Sequence, residues 1–216
     1  MRVVIAGGHG QIALKLSKQL SDAGHQPVGL IRNPDHVADL EQAGADPVVV
    51  DLESAAVNEV AAHLAAADAV IFAAGAGPNS TAARKQSVDR NGAVLLAQAA
   101  AAAGVRRYVM VSAIGADDFD PDSDEIFQVY LRAKSEADAA LRDTSLDWTI
   151  VRPGGLTDDD PTGRVTAAPS TGRGQIPRAD VAAVLVAALL DASSIGKQFE
   201  LISGDVPIAE ALAALP

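Results

Sequence analysis

The chain has 216 residues, of which 49% are hydrophobic, and this is enough to bury one sizeable core. Its 28 acidic and 17 basic residues give a net charge of −11, which argues against a nucleic-acid-binding protein, because such a protein needs a basic face for phosphates. Cysteine is absent, which excludes disulfides and thiolate metal sites. The four histidines lack ligand spacing, so we expect no metal centre.

Two stretches bear on where the protein acts. Residues 1–6 are predicted to form a buried strand, and they have neither the length nor the cleavage site of a signal peptide. The longest apolar stretch, around residues 181–190, is too short to span a bilayer. We therefore expect a soluble cytoplasmic protein without a membrane partner.

Short apolar segments alternate with helix-like segments from the first residue. The predicted strands are residues 3–6, 27–31, 46–50, 69–72, 107–111 and 148–151. The predicted helices between them are residues 11–23, 36–43, 57–66, 81–103 and 127–142. Several strands are rich in Val and Ile, which is typical of parallel strands buried on both faces. The alternation predicts a doubly wound parallel α/β sheet.

The pattern changes after Arg152. Residues 153–177 are rich in Gly, Pro, Asp and Thr, with one brief apolar segment at 165–168. A helix at 179–190, a strand at 198–202 and a short helix at 208–213 are predicted to follow. We expect residues 1–216 to form one domain, in which 153–216 include the small elements on the substrate side.

A glycine cluster follows the first strand and opens the first helix. The segment Gly7-Gly8-His9-Gly10-Gln11-Ile12-Ala13 fits the pattern G-x-x-G-x-x-A. Glycines in such a loop allow a tight turn, close approach of phosphates and close packing of helix on strand. The position of the loop favours a pyrophosphate over the alternative, an ordinary strand–helix turn. The expected cofactor contacts in this loop are Gly7, Gly8, His9, Gly10, Gln11 and Ile12.

Arg32 and Asn33 follow the second strand, where an NAD site usually places an acidic side chain on the adenosine ribose. No carboxylate stands at this strand end. Arg32 would suit the 2′-phosphate of NADP through charge-assisted hydrogen bonds, although a solvated surface arginine is the alternative. We therefore expect NADP (NADPH) to be preferred over NAD, with Arg32 and Asn33 in contact with it.

Two further strand ends are candidate contacts. Asp51 and Leu52 end the third strand, where an adenine edge would arrive, although Asp51 could equally cap the next helix. Small residues end the fourth strand, as a cofactor passing over the sheet edge requires; they are Ala73, Ala74 and Gly75.

Three residues are candidates for catalysis. Ser112 follows the fifth strand, and Tyr130 and Lys134 are four residues apart in a helical pattern, which puts them on one helix face. Such a Lys can lower the pKa of the Tyr hydroxyl and bind a nicotinamide ribose, which leaves the Tyr as general acid–base. Ser112 could hydrogen-bond a substrate carbonyl.

Less specific interpretations of the same positions stay open. Tyr130 could be a partly buried helix aromatic, and Lys134 a surface cation near Glu136 or Asp138. The acidic stretch 117–125 lies between Ser112 and the pair, and it could be a lid or a solvated loop.

These motifs occur in the order seen in short-chain dehydrogenase/reductases. The chain resembles the atypical NAD(P)-binding branch, which includes NmrA-like regulators and proteins similar to biliverdin reductase B and flavin reductase. The segment 146–153, Leu-Asp-Trp-Thr-Ile-Val-Arg-Pro, carries the most specific part of the likeness. The resemblance implies a Rossmann fold and adds cofactor contacts near the nicotinamide from Pro153, Gly154, Gly155 and Leu156.

The resemblance implies an NADP(H)-dependent oxidoreductase that transfers hydride to a small carbonyl or flavin-like acceptor. The alternative is an NADP(H)-sensing regulatory protein without turnover, since the same cofactor loop would serve it. A sugar-nucleotide epimerase is disfavoured, because the C-terminal region is short for a nucleotide-sugar lobe. We expect a small-molecule substrate and a monomer or homodimer.

Overall fold

The computed structural model describes all 216 residues, and its central feature is a nine-stranded sheet between layers of helices. The strands are β1 (Arg2–Ala6), β2 (Gln26–Ile31), β3 (Asp46–Val49), β4 (Ala69–Phe72), β5 (Arg107–Val111), β6 (Asp147–Pro153), β7 (Gly155–Thr157), β8 (Arg164–Ala168), β9 (Gln175–Pro177), β10 (Lys197–Ser203) and β11 (Val206–Pro207). The helices are α1 (Gln11–Asp22), α2 (Val37–Gln42), α3 (Val57–His63), α4 (Ala82–Arg84), α5 (Ala93–Ala103), α6 (Ile126–Arg142), α7 (Arg178–Leu190) and α8 (Ile208–Ala213). None of these helices combines the length and hydrophobicity needed to cross a membrane.

The strand order of the main sheet is β11-β8-β10-β6-β5-β4-β1-β2-β3. The strands from β10 to β3 are parallel, whereas β8 pairs antiparallel with both β10 and β11. The chain goes from β1 to β2 and β3 on one side and returns to β4 on the other. The carboxyl ends of β1 and β4 therefore meet at a topological switch point, where open α/β sheets bind their ligands. The predicted doubly wound α/β fold is confirmed.

Alternation along β1 explains the two layers of the core. Because successive strand residues point to opposite faces, Val3 and Ile5 pack with α1 and α7, while Val4 and Ala6 pack with α3 and α5. The two clusters contain 22 and 21 buried residues, so both faces of the sheet are covered to a similar degree. The sheet is thereby fixed, and its carboxyl edge forms a rigid base for a site.

The structure corrects three expectations about the elements. β3 is not buried on both faces, because it is the edge strand of the sheet and its residues are partly or fully exposed. The predicted helix 81–103 is divided into α4, a π-helix at Lys85–Gly92, and α5. The stretch 153–177 contains three strands, of which β7 and β9 pair in a separate small parallel sheet.

A buried carboxylate holds two loops together at the carboxyl edge. Glu200 of β10 accepts hydrogen bonds from the Gly115 amide at 3.2 Å and from the Thr171 amide at 2.8 Å. The loop after β5 is thereby joined to the loop before β9. Gly154 lies against the second of these loops, because an added Cβ would come within 2.4 Å of the Gly174 carbonyl oxygen. These contacts close the C-terminal side of the switch point.

Candidate functional site

The glycine loop connects β1 to α1 and passes directly over the end of β4. Gly7 has φ +77°, and a Cβ there would lie 2.5 Å from the Ala74 Cα, so glycine is required for both conformation and space. The Gly10 amide donates to the Gly7 carbonyl at 2.8 Å and closes the turn. Gly8 is packed on β2 instead, where an added Cβ would lie 2.7 Å from the Gly29 Cα.

The first turn of α1 is available to an anion. Gly10 is the N-cap, no side chain caps the helix, and the first turn holds no acidic residue. The first amides of a helix have no intrahelical partner, and the helix dipole favours negative charge there. A pyrophosphate therefore fits this loop and this helix terminus.

The loop lies in the middle of one cleft along the carboxyl edge of the sheet. One part, here called the β2 end, has a volume of ≈ 320 Å³, and the other, the β5 end, has ≈ 1030 Å³. Both parts are lined by Gly10, Ala73, Ala74 and Gly75. An elongated ligand can therefore lie across the glycine loop with one half in each end.

Nearly all the residues expected from the sequence line this cleft. The β2 end includes Gly7, His9, Arg32, Asn33, Asp51 and Leu52. The β5 end includes Gln11, Ile12, Ser112, Tyr130, Lys134, Pro153, Gly154, Gly155 and Leu156. Gly8 is the exception, because it lines neither end and allows close packing of the loop on β2. Its contact with a cofactor stays a prediction.

Two guanidinium groups meet one carboxylate at the β2 end. Arg32 Nη1 lies 2.8 Å and Arg84 Nη2 2.9 Å from the same oxygen of Glu53. The Ser87 hydroxyl donates to the other oxygen at 2.6 Å, and this bond, followed by the contacts with Arg84 and Arg32, holds the pKa of Glu53 below its ordinary value. The two guanidinium groups therefore share one carboxylate oxygen, and the Asp51 carboxylate also lines this end.

The turn after β3 aims Glu53 at these arginines. The Asp51 carboxylate accepts a hydrogen bond from the Glu53 amide at 3.0 Å. Asp51 does not cap the next helix, since the N-cap of α3 is Ala56. Of this cluster the sequence interpretation named Arg32 alone, because no local spacing connects Arg84 or Glu53 to the end of β2.

Tyr130 and Lys134 both face the β5 end from α6. Lys134 is buried; its ammonium donates to the Val111 carbonyl at 3.2 Å and lies 3.4 Å from Asp89 Oδ1. The Lys134 Nζ is 5.8 Å from the centroid of the half-buried Tyr130 ring. Lys134 is therefore not a surface cation, and the helical spacing brings the pair together as expected.

The pKa of Tyr130 differs from the sequence expectation. Burial raises it above its ordinary value, and the nearby Lys134 charge lowers it by less than burial raises it. The carboxylates of Asp89 and Asp138 add to the increase. Tyr130 is thus a protonated phenol at neutral pH in the free protein, which suits a proton donor better than a base.

Ser112 is engaged by a buried carboxylate. Its hydroxyl donates to Asp138 Oδ2 at 2.7 Å, and Arg152 Nε donates to the same oxygen at 2.9 Å. That Ser112 orients a substrate carbonyl stays a prediction, and in this structure its hydroxyl proton is bonded to Asp138. Asp138 lies four residues after Lys134 on the buried face of α6, and this helical spacing could have revealed it.

The π-helix contributes two charged residues that the sequence interpretation did not assign. Lys85 and Asp89 are both buried and both line the β5 end. Asp89 Oδ2 accepts a hydrogen bond from the Ala76 amide at 3.1 Å. π-Helical segments occur frequently at functional sites, so this irregularity draws attention to the same end of the cleft.

The acidic stretch 117–125 is attached at its start to the buried network. Asp117 receives two hydrogen bonds from Arg152, at 2.7 and 3.1 Å, and one from the Ser135 hydroxyl at 2.6 Å. Farther along, Arg132 donates to the Pro121 carbonyl at 2.6 Å. The stretch therefore packs along α6 beside the cleft.

The chain belongs to the NAD(P)H-binding family, whose model matches residues 7–192. This agrees with the resemblance to atypical short-chain dehydrogenase/reductases. A Bacillus subtilis protein named as an uncharacterized sugar epimerase is 39% identical over the whole of both chains.

Solved structures agree with the family assignment. A Bacillus halodurans protein provisionally described as an NAD-dependent epimerase/dehydratase is 39% identical, with a TM-score of 0.91 over 99% of both chains. An oxidoreductase of Lactococcus lactis is 30% identical, with a TM-score of 0.86 over 99% of this chain and 96% of that one. A nicotinamide dinucleotide is accordingly the cofactor class of the family.

Proposed function

We propose that the protein is an NADP(H)-dependent oxidoreductase that reduces a small carbonyl or flavin-like acceptor. The observation that carries this proposal is that two adjoining pockets share Gly10, Ala73, Ala74 and Gly75 in their linings. One pocket holds an arginine pair and the other a Tyr–Lys pair. The first pair suits the 2′-phosphate that distinguishes NADP from NAD. The second suits proton transfer to an acceptor.

The residues of the cleft fit the cofactor along its length. The uncapped start of α1 and the glycine loop would bind the pyrophosphate, Arg32 and Arg84 the 2′-phosphate, and Lys134 the nicotinamide ribose. When bound, the nicotinamide supplies the hydride chemistry, and the protein supplies orientation and exclusion of water.

Tyr130 would deliver the proton. Its raised pKa keeps the phenol protonated at neutral pH, and the fixed ammonium of Lys134 would stabilise the phenolate left behind. Asp89 and the Val111 carbonyl hold that ammonium in position. While the Ser112 hydroxyl donates its proton to Asp138, its oxygen could still accept a hydrogen bond from a ligand in the cleft.

A cofactor-sensing protein without turnover is the second candidate. The commitment of the Ser112 hydroxyl to Asp138 favours it, since one of the three expected catalytic groups is not free to donate. Two relatives are named as epimerases, but these names identify no sugar-binding residue in this chain. The region after residue 153 is also short for a nucleotide-sugar lobe.

Replacing Tyr130 by Phe separates the two candidates. For an enzyme that uses this proton donor, Tyr130→Phe lowers kcat by about 10²-fold or more, while NADPH affinity stays within about twofold. The assay follows NADPH oxidation against a panel of small carbonyls and flavins, with cofactor affinity measured by calorimetry.

Tyr108 supplies a matched control for this substitution. It is the only other tyrosine, and its hydroxyl is bonded to the Ala93 carbonyl in the core rather than in the cleft. Tyr108→Phe should leave kcat unchanged. Full activity of Tyr130→Phe would remove the proton-donor role and leave direct hydride transfer to a flavin-like acceptor. Cofactor binding without turnover on any acceptor in the panel would favour the sensor.

A further inference from the structure

Lys85 is a buried cation without a carboxylate partner. Its side chain comes from the π-helix, the residue is 6% exposed, and its Nζ donates one hydrogen bond, to the Gly77 carbonyl at 2.7 Å. Asp89, four residues along the same helix, pairs with Lys134 instead. Burial lowers the pKa of Lys85, and the nearby Asp89 charge raises it by less than burial lowers it.

The charges around Lys85 leave the β5 end positive. Lys85 and Lys134 line it with a single carboxylate, that of Asp89, between them. Arg178 lines the same end and is paired with Asp158 at 3.0 Å. In a chain of net charge −11, an excess of positive charge inside a cleft is a local feature that attracts anions.

The mouth of the same end is apolar. Ile126 and Phe127 begin α6 and are 48% and 62% exposed, and Leu156 of β7 is 39% exposed. All three line the β5 end, so their exposed surfaces belong to one concave region. Grouped exposed apolar side chains beside a cleft are typical of a ligand-binding surface.

We propose that the β5 end binds an organic anion, whose carboxylate or phosphate pairs with Lys85 and whose apolar body contacts Ile126, Phe127 and Leu156. This rests on the proposed function in one respect, that the anion is the hydride acceptor. The Lys85 ammonium donates one hydrogen bond, to a carbonyl, and lies 5.0 Å from the centre of the Tyr130 ring. An acidic group on the acceptor would add a charged partner, and such charge-assisted bonds are strong.

Small probes with one apolar body test this site. Phenylacetate, benzyl phosphate and the neutral phenylacetamide are titrated by ligand-observed NMR at fixed ionic strength, with and without saturating NADP⁺. The wild-type protein should bind at least one of the two anions about tenfold more tightly than the amide. The stronger of the two identifies the acidic group. Equal binding of all three overturns the proposal.

Three variants assign the preference to Lys85. Lys85→Met should reduce the anion preference to below about twofold, and Lys85→Arg should retain most of it, because the charge is kept. Lys18→Met removes an exposed lysine of α1 and should change nothing. Thermal unfolding confirms that each variant is folded. A full anion preference in folded Lys85→Met would mean that Lys85 only supports the Gly77 loop.

The same titrations separate this proposal from the proposed function. NADP⁺ that displaces the anion competitively would assign Lys85 to the cofactor and overturn the acceptor site. An anion preference that depends on Lys85 in a protein that binds no NADP(H) would support the site and contradict the reductase. Cofactor binding without any anion preference contradicts this inference alone.

Discussion

The two ends of the cleft use charge in different ways. At the β2 end, Arg32, Arg84 and Glu53 form a cluster whose arginine side chains are 54% and 38% exposed to water. At the β5 end, Lys134 and Asp89 are almost fully buried, as is the Arg152–Asp138 pair that is bonded to Ser112. Exposed ion pairs contribute little to stability, whereas breaking a buried pair leaves an uncompensated charge.

Because of this difference, we expect substitutions at the two ends to change different properties of the protein. Residues of the β2 end can rearrange around a phosphate at little cost to the fold, so substitutions there should change cofactor selectivity. The charged residues Lys134 and Asp89 of the β5 end are buried, so substitutions there should change stability as well as chemistry.

Asp138→Ala should have the largest effect on stability. The change leaves the buried Arg152 with the half-exposed Asp117 alone, and we expect a loss of about 3 kcal/mol in the free energy of unfolding. Urea denaturation measures it. Glu136→Gln, on the exposed face of the same helix, removes a surface pair with Arg90 and should lose less than about 1 kcal/mol. Similar losses for both variants would contradict the contrast between buried and exposed charges.

Arg32→Ala should weaken NADPH binding by about tenfold and leave NADH binding within about twofold, because the side chain is placed to bond a group that NADH lacks. Glu53→Gln should act in the opposite direction, since it removes the carboxylate that competes for both arginines. Arg90→Ala, outside the cleft, is the matched control for loss of a surface arginine. Calorimetry gives the affinities, and equal weakening of NADPH and NADH by Arg32→Ala would remove its selectivity role.

Asp117→Asn should have the smallest effect, and one that depends on pH. Hydrogen bonds from Arg152 hold the pKa of Asp117 below its ordinary 3.8, so the ionised carboxylate stabilises the folded state above that pH. This stabilisation is lost as the pH falls through the lowered pKa. Because the Asp117 side chain is half exposed, we expect a difference of about 1 kcal/mol or less at neutral pH.

Urea unfolding at neutral pH and near pH 3 tests the sign, because the wild-type protein and Asp117→Asn should converge in acid. Asp118→Asn, at the exposed neighbouring position, should show no such convergence. A difference for Asp117→Asn that stays constant between the two pH values would contradict the role of its charge.

The sequence was sufficient for the parts of the fold that follow local rules. The Val- and Ile-rich segments gave the parallel strands, and the glycine spacing gave the loop between β1 and α1. The exposure of β3 results from its place at the sheet edge, which strand composition does not encode. The π-helix was not predicted, because its residues do not differ in type from those of an ordinary helix.

The site divides in the same way. Tyr130 and Lys134 were predictable because they are one helical turn apart. The Ser112–Asp138 contact spans 26 residues and joins a strand end to a helix, and the Arg32–Glu53 contact spans 21. Contacts of this kind depend on how the elements pack, so they appear only in the folded structure. They also account for the net rise in the pKa of Tyr130, since burial and distant carboxylates outweigh the lowering by the neighbouring lysine.

A single NADP(H) molecule is expected to span both ends of the cleft. Calorimetric titration of the wild-type protein with NADPH and with NADH, at one fixed ionic strength, tests it most directly. We expect one site per chain and tighter binding of NADPH than of NADH. Binding of neither would contradict it, because the loop from Gly7 to Ala13 would then be only a turn between a strand and a helix.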